Sequence, residues 1–299
     1  MKYRTFPGTG VTVSEVGFGT WTISTGWWGE KTDAEAVGML RRALDEHGVT
    51  FFDAADAYGN GRAEKQIAEA FRGRRSEIVI GTKVGYDIYD EAAVASRRGQ
   101  QELPMRTDPQ FLRFAVDKCL ERLETDYIDV LQIHNAKMEH VRDAELWGTL
   151  RDLKREGKIR AWGVSNFDTR QMEDLFRVPD GKRCATNQVQ YSLKNRRIER
   201  DVLPWCQEHN VPVMAYSPLG GGGSPLTSDR TLAKIGSAHG CSPAAVALAW
   251  AIRRGNVIAI PESGTPAHTK ENAEALSTVL TPADLQALNT AYPGAFGAS

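Results

Sequence analysis

Eight short runs rich in valine, isoleucine and phenylalanine punctuate this chain. They are VSEVGFGT, TFFDAAD, IVIGTKV, IDVLQIH, IRAWGVSN, CATNQVQ, VPVMAYS and VIAIPES. Between them, apolar residues recur at three- and four-residue spacing, which predicts helices over 33–47, 108–124, 143–156, 198–209 and 243–254. Asp33, Asp108 and Ser242 stand where N-caps belong, Pro109 and Pro243 at the first helical position, and Gly48 and Gly157 where helices stop. Strands that alternate with helices pair in parallel, because a parallel neighbour needs a long crossover. Eight such units in 299 residues predict one closed (β/α)8 TIM barrel over residues 1–299. An open doubly wound sheet alternates similarly, but it normally carries GxGxxG after its first strand, and none is found there. The opening KYRTFPGTGVTVSEVG predicts an extra β-hairpin, turning near Pro7, Gly8 and Gly10, that closes the bottom of the barrel.

Composition narrows the partner. A formal net charge of -1 and a pI near 6.6 supply no basic surface for nucleic acid or an anionic membrane, so a small molecule is expected. Cys119, Cys184, Cys206 and Cys241 are scattered without CxxC or cysteine–histidine spacing, so reduced thiols and no metal site are expected. MKYRTFPGTG lacks the apolar core of a signal peptide and no apolar run reaches membrane-span length, which predicts a cytoplasmic protein.

FFDAADAYGN, residues 51–60, begins as a buried strand and ends in two acids and a tyrosine. In a parallel barrel the carboxyl ends of all strands open on one rim, so polar strand ends converge there. Asp53 ends the second strand, Lys83 the third and His134 the fourth, and Tyr58 hangs from the loop after Asp53. A charge buried in a barrel mouth costs roughly several kcal/mol unless paired, so Asp53 and Lys83 are expected to pair. Taken singly, each has an ordinary structural reading: an ion pair, a satisfied histidine, a turn.

FFDAADAYGNG, GTKVG, DVLQIHN, REGKIRAWGVSNF, NQVQYS and AYSPLGGG together resemble the motifs of the aldo-keto reductase superfamily, in its order and spacing and along nearly the whole chain. The resemblance implies a catalytic tetrad of Asp53, Tyr58, Lys83 and His134, with Asp56 outside it. It implies hydride transfer between NAD(P)H and a carbonyl or sugar substrate, Tyr58 acting as general acid. An isolated phenol titrates near 10, and Lys83 beside it is expected to bring that value down. Net oxidation of a sugar or alcohol uses the same site. A non-catalytic cofactor-binding subunit would share the same rim.

The resemblance also assigns the cofactor's side. Ser165, Asn166 and Gln188 would hold the nicotinamide carboxamide and Tyr216 would stack on the ring, while Ser217 and Leu219 match pyrophosphate contacts. The glycine run from Gly220 to Gly223 is expected to fold over the dinucleotide. After Pro261, relatives commonly carry a basic residue for the NADPH 2′-phosphate; here Glu262 stands there, followed by Ser263, with His268 later and Glu271 and Asn272 near the adenine. Kinship favours NADPH, and Glu262 weakly favours NADH, with Lys270 as the nearest full positive charge. Trp21, Trp27, Trp28, Tyr86 and Tyr89 are candidate substrate-pocket walls, and the long segment 85–107, with a solvated Arg97–Arg98 pair, is expected to shape specificity. A long C-terminal specificity tail is not expected.

Overall fold

The computed structural model describes residues 2–26, 29–96 and 102–294, and the candidates Trp27, Trp28, Arg97 and Arg98 lie outside them. The barrel strands are β3 (Phe18–Gly19), β4 (Phe51–Asp53), β5 (Val79–Val84), β6 (Ile128–Ile133), β7 (Ile159–Ser165), β8 (Asn187–Gln190), β9 (Val213–Tyr216) and β10 (Val257–Ile260). Each is parallel to its neighbours, in sequence order. The ring closes between the last strand and the first: Gly17 N–H donates to Ala259 O at 2.8 Å and Gly19 N–H to Pro261 O at 2.9 Å.

Side chains alternate along each strand, and this parity separates two cores. Phe51, Val130, Ala161, Ala185, Met214 and Ile258 face inward in the lower barrel. Their neighbours Phe52, Leu131, Trp162, Ala215 and Ala259 face outward under the helices. The lower layer is sealed by the antiparallel hairpin β1 (Tyr3–Thr5) and β2 (Thr12–Ser14), whose Phe6, Val11 and Val13 join the inner cluster. Gly81 leaves room for the Phe51 ring, which a Cβ there would crowd at 3.0 Å. A fully buried phenylalanine such as Phe51 stabilises the fold by roughly 1.5–3 kcal/mol.

Three sequence expectations need correction. The run VSEVGFGT is split, its start completing the hairpin and its second half entering the barrel, where Val16 bridges Ala259 and Phe18–Gly19 pairs with β4. The cap of helix Asp33–Asp45 is Thr32, in a capping box with Glu35, because Asp33 Oδ1 is occupied by Arg62 at 2.7 Å and Gln66 at 2.7 Å. Asp108 and Ser242 cap as expected. The stretch 198–209 divides into a short turn at Arg197–Arg200 and a helix at Val202–Glu208, where Asp201 caps Val202. Among the described residues no single helix is long and apolar enough to cross a membrane.

Candidate active site

Inward parity, which is apolar low in the barrel, delivers polar groups at its carboxyl ends. Asp53 follows Phe51 by two residues, Lys83 follows Gly81, His134 follows Gln132, and Glu262 follows Ile260. After β4 the chain continues alongside β5, with Ala54 N–H on Gly81 O at 2.8 Å and Asp56 N–H on Lys83 O at 3.1 Å. It then turns, Tyr58 N–H reaching Ala55 O at 3.1 Å, which brings the phenol back over the mouth.

There Lys83, fully buried, spends its three hydrogens on Asp53 Oδ2 at 2.8 Å, Ala54 O at 2.8 Å and the Tyr58 hydroxyl at 3.3 Å. The His134 ring stands edge-on to Tyr58, centroids 6.1 Å apart, and the Tyr86 ring packs against it at 4.8 Å. All four expected catalytic residues therefore meet. Their electrostatics differ from expectation: burial pushes the Tyr58 phenol well above its ordinary value, and Asp53 and then Glu262 push it further. The Lys83 charge is already balanced by Asp53, so it does not outweigh the loss of water.

The residues expected to hold a carboxamide also converge. Gln188 donates Nε2 to Asp53 Oδ1 at 2.9 Å and to Gln132 Oε1 at 3.1 Å, leaving Oε1 as its free acceptor. Gln132, which the sequence reading did not single out, is fully buried and also donates to Val164 O at 3.1 Å. Its signal was parity, two residues before His134. Ser165 is buried at the end of β7, and Asn166 follows in the left-handed region at φ 60°. An array of one hydroxyl and two amide oxygens fits a group with one carbonyl and one NH2, and Tyr216, half-buried at the end of β9, offers the aromatic face.

Beyond Tyr216 the chain turns sharply at Ser217 and Gly220, where a Cβ on Gly220 would lie 2.5 Å from Ser224 Oγ. Leu219 packs against the core, Leu226 is fully buried, and the residues 221–223 between these anchors are exposed. On the last loop, Asn272 Nδ2 holds Glu262 O at 3.2 Å and Ser263 Oγ at 3.1 Å, while His268 and Lys270 are exposed and Glu271 half-buried. Glu262, expected to face the ribose, turns its carboxyl to accept from the Thr22 hydroxyl at the mouth. Burial, then Asp53, pushes it up to about 8.

Among the candidate pocket walls, Trp21 heads the short helix after β3 and Tyr86 lies against His134. Tyr89 does not reach the mouth. It packs on Phe111 and Phe114 and takes Arg122 Nη1 on its hydroxyl at 3.0 Å, because the helix behind it offers both an apolar face and a cation.

Behind Tyr58 lies a second charged cluster. Glu64, fully buried, accepts from Arg122 Nε at 2.6 Å and Thr82 Oγ1 at 2.7 Å. Asp56 is also fully buried, yet neither oxygen makes a hydrogen bond of normal geometry, although the Ala57 N–H lies near enough to favour the charge slightly. Burial first, and Glu64 second, raise its carboxyl well above the usual range. As pH rises past about 3.9 the unfolded chain loses this proton while the folded one keeps it, so the folded state loses stability with rising pH. Asp56→Asn removes that loss. It is expected to raise Tm at pH 7, a gain that shrinks toward pH 4, as Tm measured against pH will show.

Fold and site together define an oxidoreductase of the barrel type. The chain belongs to the Aldo/keto reductase family, whose sequence model matches residues 15–293. It is 38% identical over 290 residues to methylglyoxal reductase YeaE of Escherichia coli (strain K12), covering 96% of this chain and 94% of that one. The NADH-specific methylglyoxal reductase of the same organism is 28% identical over 311 residues, covering 92% and 94%. Among solved structures, an aldo-keto reductase from Klebsiella pneumoniae in complex with NADPH superposes with a TM-score of 0.81 at 36% identity, over 98% of this chain and 96% of that one.

Proposed function

We propose that the protein reduces a small carbonyl compound with NAD(P)H, Tyr58 delivering the proton. The observation that carries this reading is the hydroxyl of half-buried Tyr58, 3.3 Å from a lysine already paired with Asp53. The nicotinamide, when bound, supplies the hydride. As the carbonyl carbon takes it, negative charge grows on the oxygen, and Tyr58 and the His134 ring are placed to donate to it. The high proton affinity of the buried phenol keeps Tyr58 protonated until that alkoxide, the stronger base, forms. Lys83 then stabilises the phenolate left behind.

Ser165, Asn166 and Gln188 bind and orient the carboxamide, and Tyr216 covers the ring. Ser217, Leu219 and Gly220 approach the pyrophosphate, while Ser263, His268, Glu271 and Asn272 border the adenosine end. Exposed residues 221–223 lie between the Leu219 and Leu226 anchors, the arrangement of a loop that closes over its ligand. Dinucleotide is expected to slow hydrogen exchange in residues 218–228; equal exchange with and without it would remove the lid. The function is tested by following reduced-nicotinamide absorbance with aldehydes, ketones and sugars, beginning with the 2-oxoaldehyde named for the E. coli relatives. Turnover supports the reading. Cofactor binding without turnover of any carbonyl would leave only a cofactor-binding regulator.

A further inference from the structure

Asn135 and Asn166 follow β6 and β7 directly, and both sit in the left-handed backbone region, at φ 53° and 60°. Asparagine adopts that region more readily than most side chains, which lets the chain turn directly off each strand end. The Asn166 Nδ2 donates to Asn135 Oδ1. Asn135 Nδ2 in turn donates to the Tyr86 hydroxyl at 2.7 Å and to Glu102 Oε1 at 3.0 Å. Tyr86 and Glu102 both belong to the segment between β5 and helix Pro109–Leu123, and with Leu103, Met105 and Asn135 they line a cavity of about 380 Å³ beside His134.

The direction of this chain of bonds is fixed by chemistry. An ionised carboxylate only accepts, so Asn135 must present its NH2 to Glu102. Both of its hydrogens are then used, and its oxygen is the end left for Asn166. Asn166 must therefore turn its own NH2 toward Asn135, which leaves Asn166 Oδ1 as the acceptor facing the mouth.

We propose that Glu102 and Asn135 are positioning residues that lock the Asn166 amide with its oxygen toward the cofactor, so that the wall of this neighbouring cavity determines which carboxamide hydrogens the protein accepts. This rests on the cofactor reading above. Without the lock, an asparagine amide can turn over and exchange donor for acceptor. With it, Asn166 Oδ1 and Gln188 Oε1 form two acceptors matched to one NH2 group.

The test compares binding of the oxidised dinucleotide with that of its 3-acetylpyridine analogue, which keeps the carbonyl and lacks the NH2. Dissociation constants come from tryptophan fluorescence quenching. Wild type is expected to prefer the carboxamide form by about tenfold. In Asn135→Ala that preference is expected to fall at least about fivefold, because the freed amide can turn to serve the acetyl oxygen. Asn135→Asp keeps an acceptor toward Asn166 and is expected to retain the preference. Glu102→Gln, a change at an exposed loop position, is expected to weaken it in the same direction and serves if Asn135→Ala folds poorly. A preference unchanged within twofold in both Asn135→Ala and Glu102→Gln overturns the lock and leaves the function intact. Wild type that binds neither dinucleotide overturns both.

Discussion

Tyr58→Phe is expected to lower kcat for carbonyl reduction at least about a hundredfold, while the dissociation constant of the dinucleotide stays within about twofold of wild type. The substitution removes one oxygen and little else. The ring keeps its place 4.9 Å from Lys83 Nζ and edge-on to His134, and Lys83 keeps its bonds to Asp53 and Ala54. No buried charge loses its principal partner, so stability should change little. What disappears is the hydroxyl that Lys83 touches at the mouth, and with it the proposed route by which the growing alkoxide gains a proton. Single-turnover rates with saturating cofactor separate this loss from any change in product release. Turnover near wild type would place the acid on another group, His134 first.

The same geometry shows why much of the site was legible before any coordinates. Asp53, Lys83 and His134 interrupt apolar strands, and a closed parallel barrel leaves such interruptions nowhere to go but one rim. Period-two parity also contained more than the sequence reading took from it. Counting inward from Ile258 and Ile260 places Glu262 in the mouth, and counting back from His134 finds Gln132. The expectation that Glu262 faces the ribose came from a family position, whereas its strand parity pointed to Thr22 and Asp53. Other features had no signal of that kind. Tyr89 turns away because Arg122 and Phe114, a helix later in the chain, pack behind it, and the Asp56–Glu64–Arg122 cluster joins two helices and a loop. Such partners are set by tertiary packing and carry no period along the sequence. The expected lowering of the Tyr58 phenol failed for a related reason: adjacency to Lys83 was readable, but the depth of burial that outweighs it was not.

Glu262 is expected to make the choice between NADH and NADPH depend on pH. In the free protein its carboxyl is held by Thr22, so selection by Glu262 requires that cofactor binding release it toward the ribose; there a carboxylate at about 4 Å from a 2′-phosphate costs on the order of 1–4 kcal/mol, whereas a ribose hydroxyl can donate to it. The carboxyl is pushed up to about 8, so it is mostly neutral at pH 6.5 and mostly ionised at pH 9. A phosphate with its second ionisation near 6 is already close to doubly charged through the upper part of that range. The penalty on NADPH should therefore appear as pH passes about 8. The ratio of dissociation constants, NADPH over NADH, is expected to rise about fivefold or more between pH 6.5 and 9 in wild type. Glu262→Gln keeps the size and polarity of the side chain and any contribution from His268 or Lys270, so its ratio should rise less, and the difference in slope belongs to Glu262. Glu262→Lys exchanges repulsion for attraction and is expected to bind NADPH at least about tenfold more tightly than NADH at pH 7.5. Fluorescence quenching at one fixed salt concentration measures all three, since added salt would screen the exposed charges unequally. Equal slopes in wild type and Glu262→Gln would mean that Glu262 stays on Thr22 with cofactor bound, and selection would then pass to the exposed side chains of the last loop, Lys270 first.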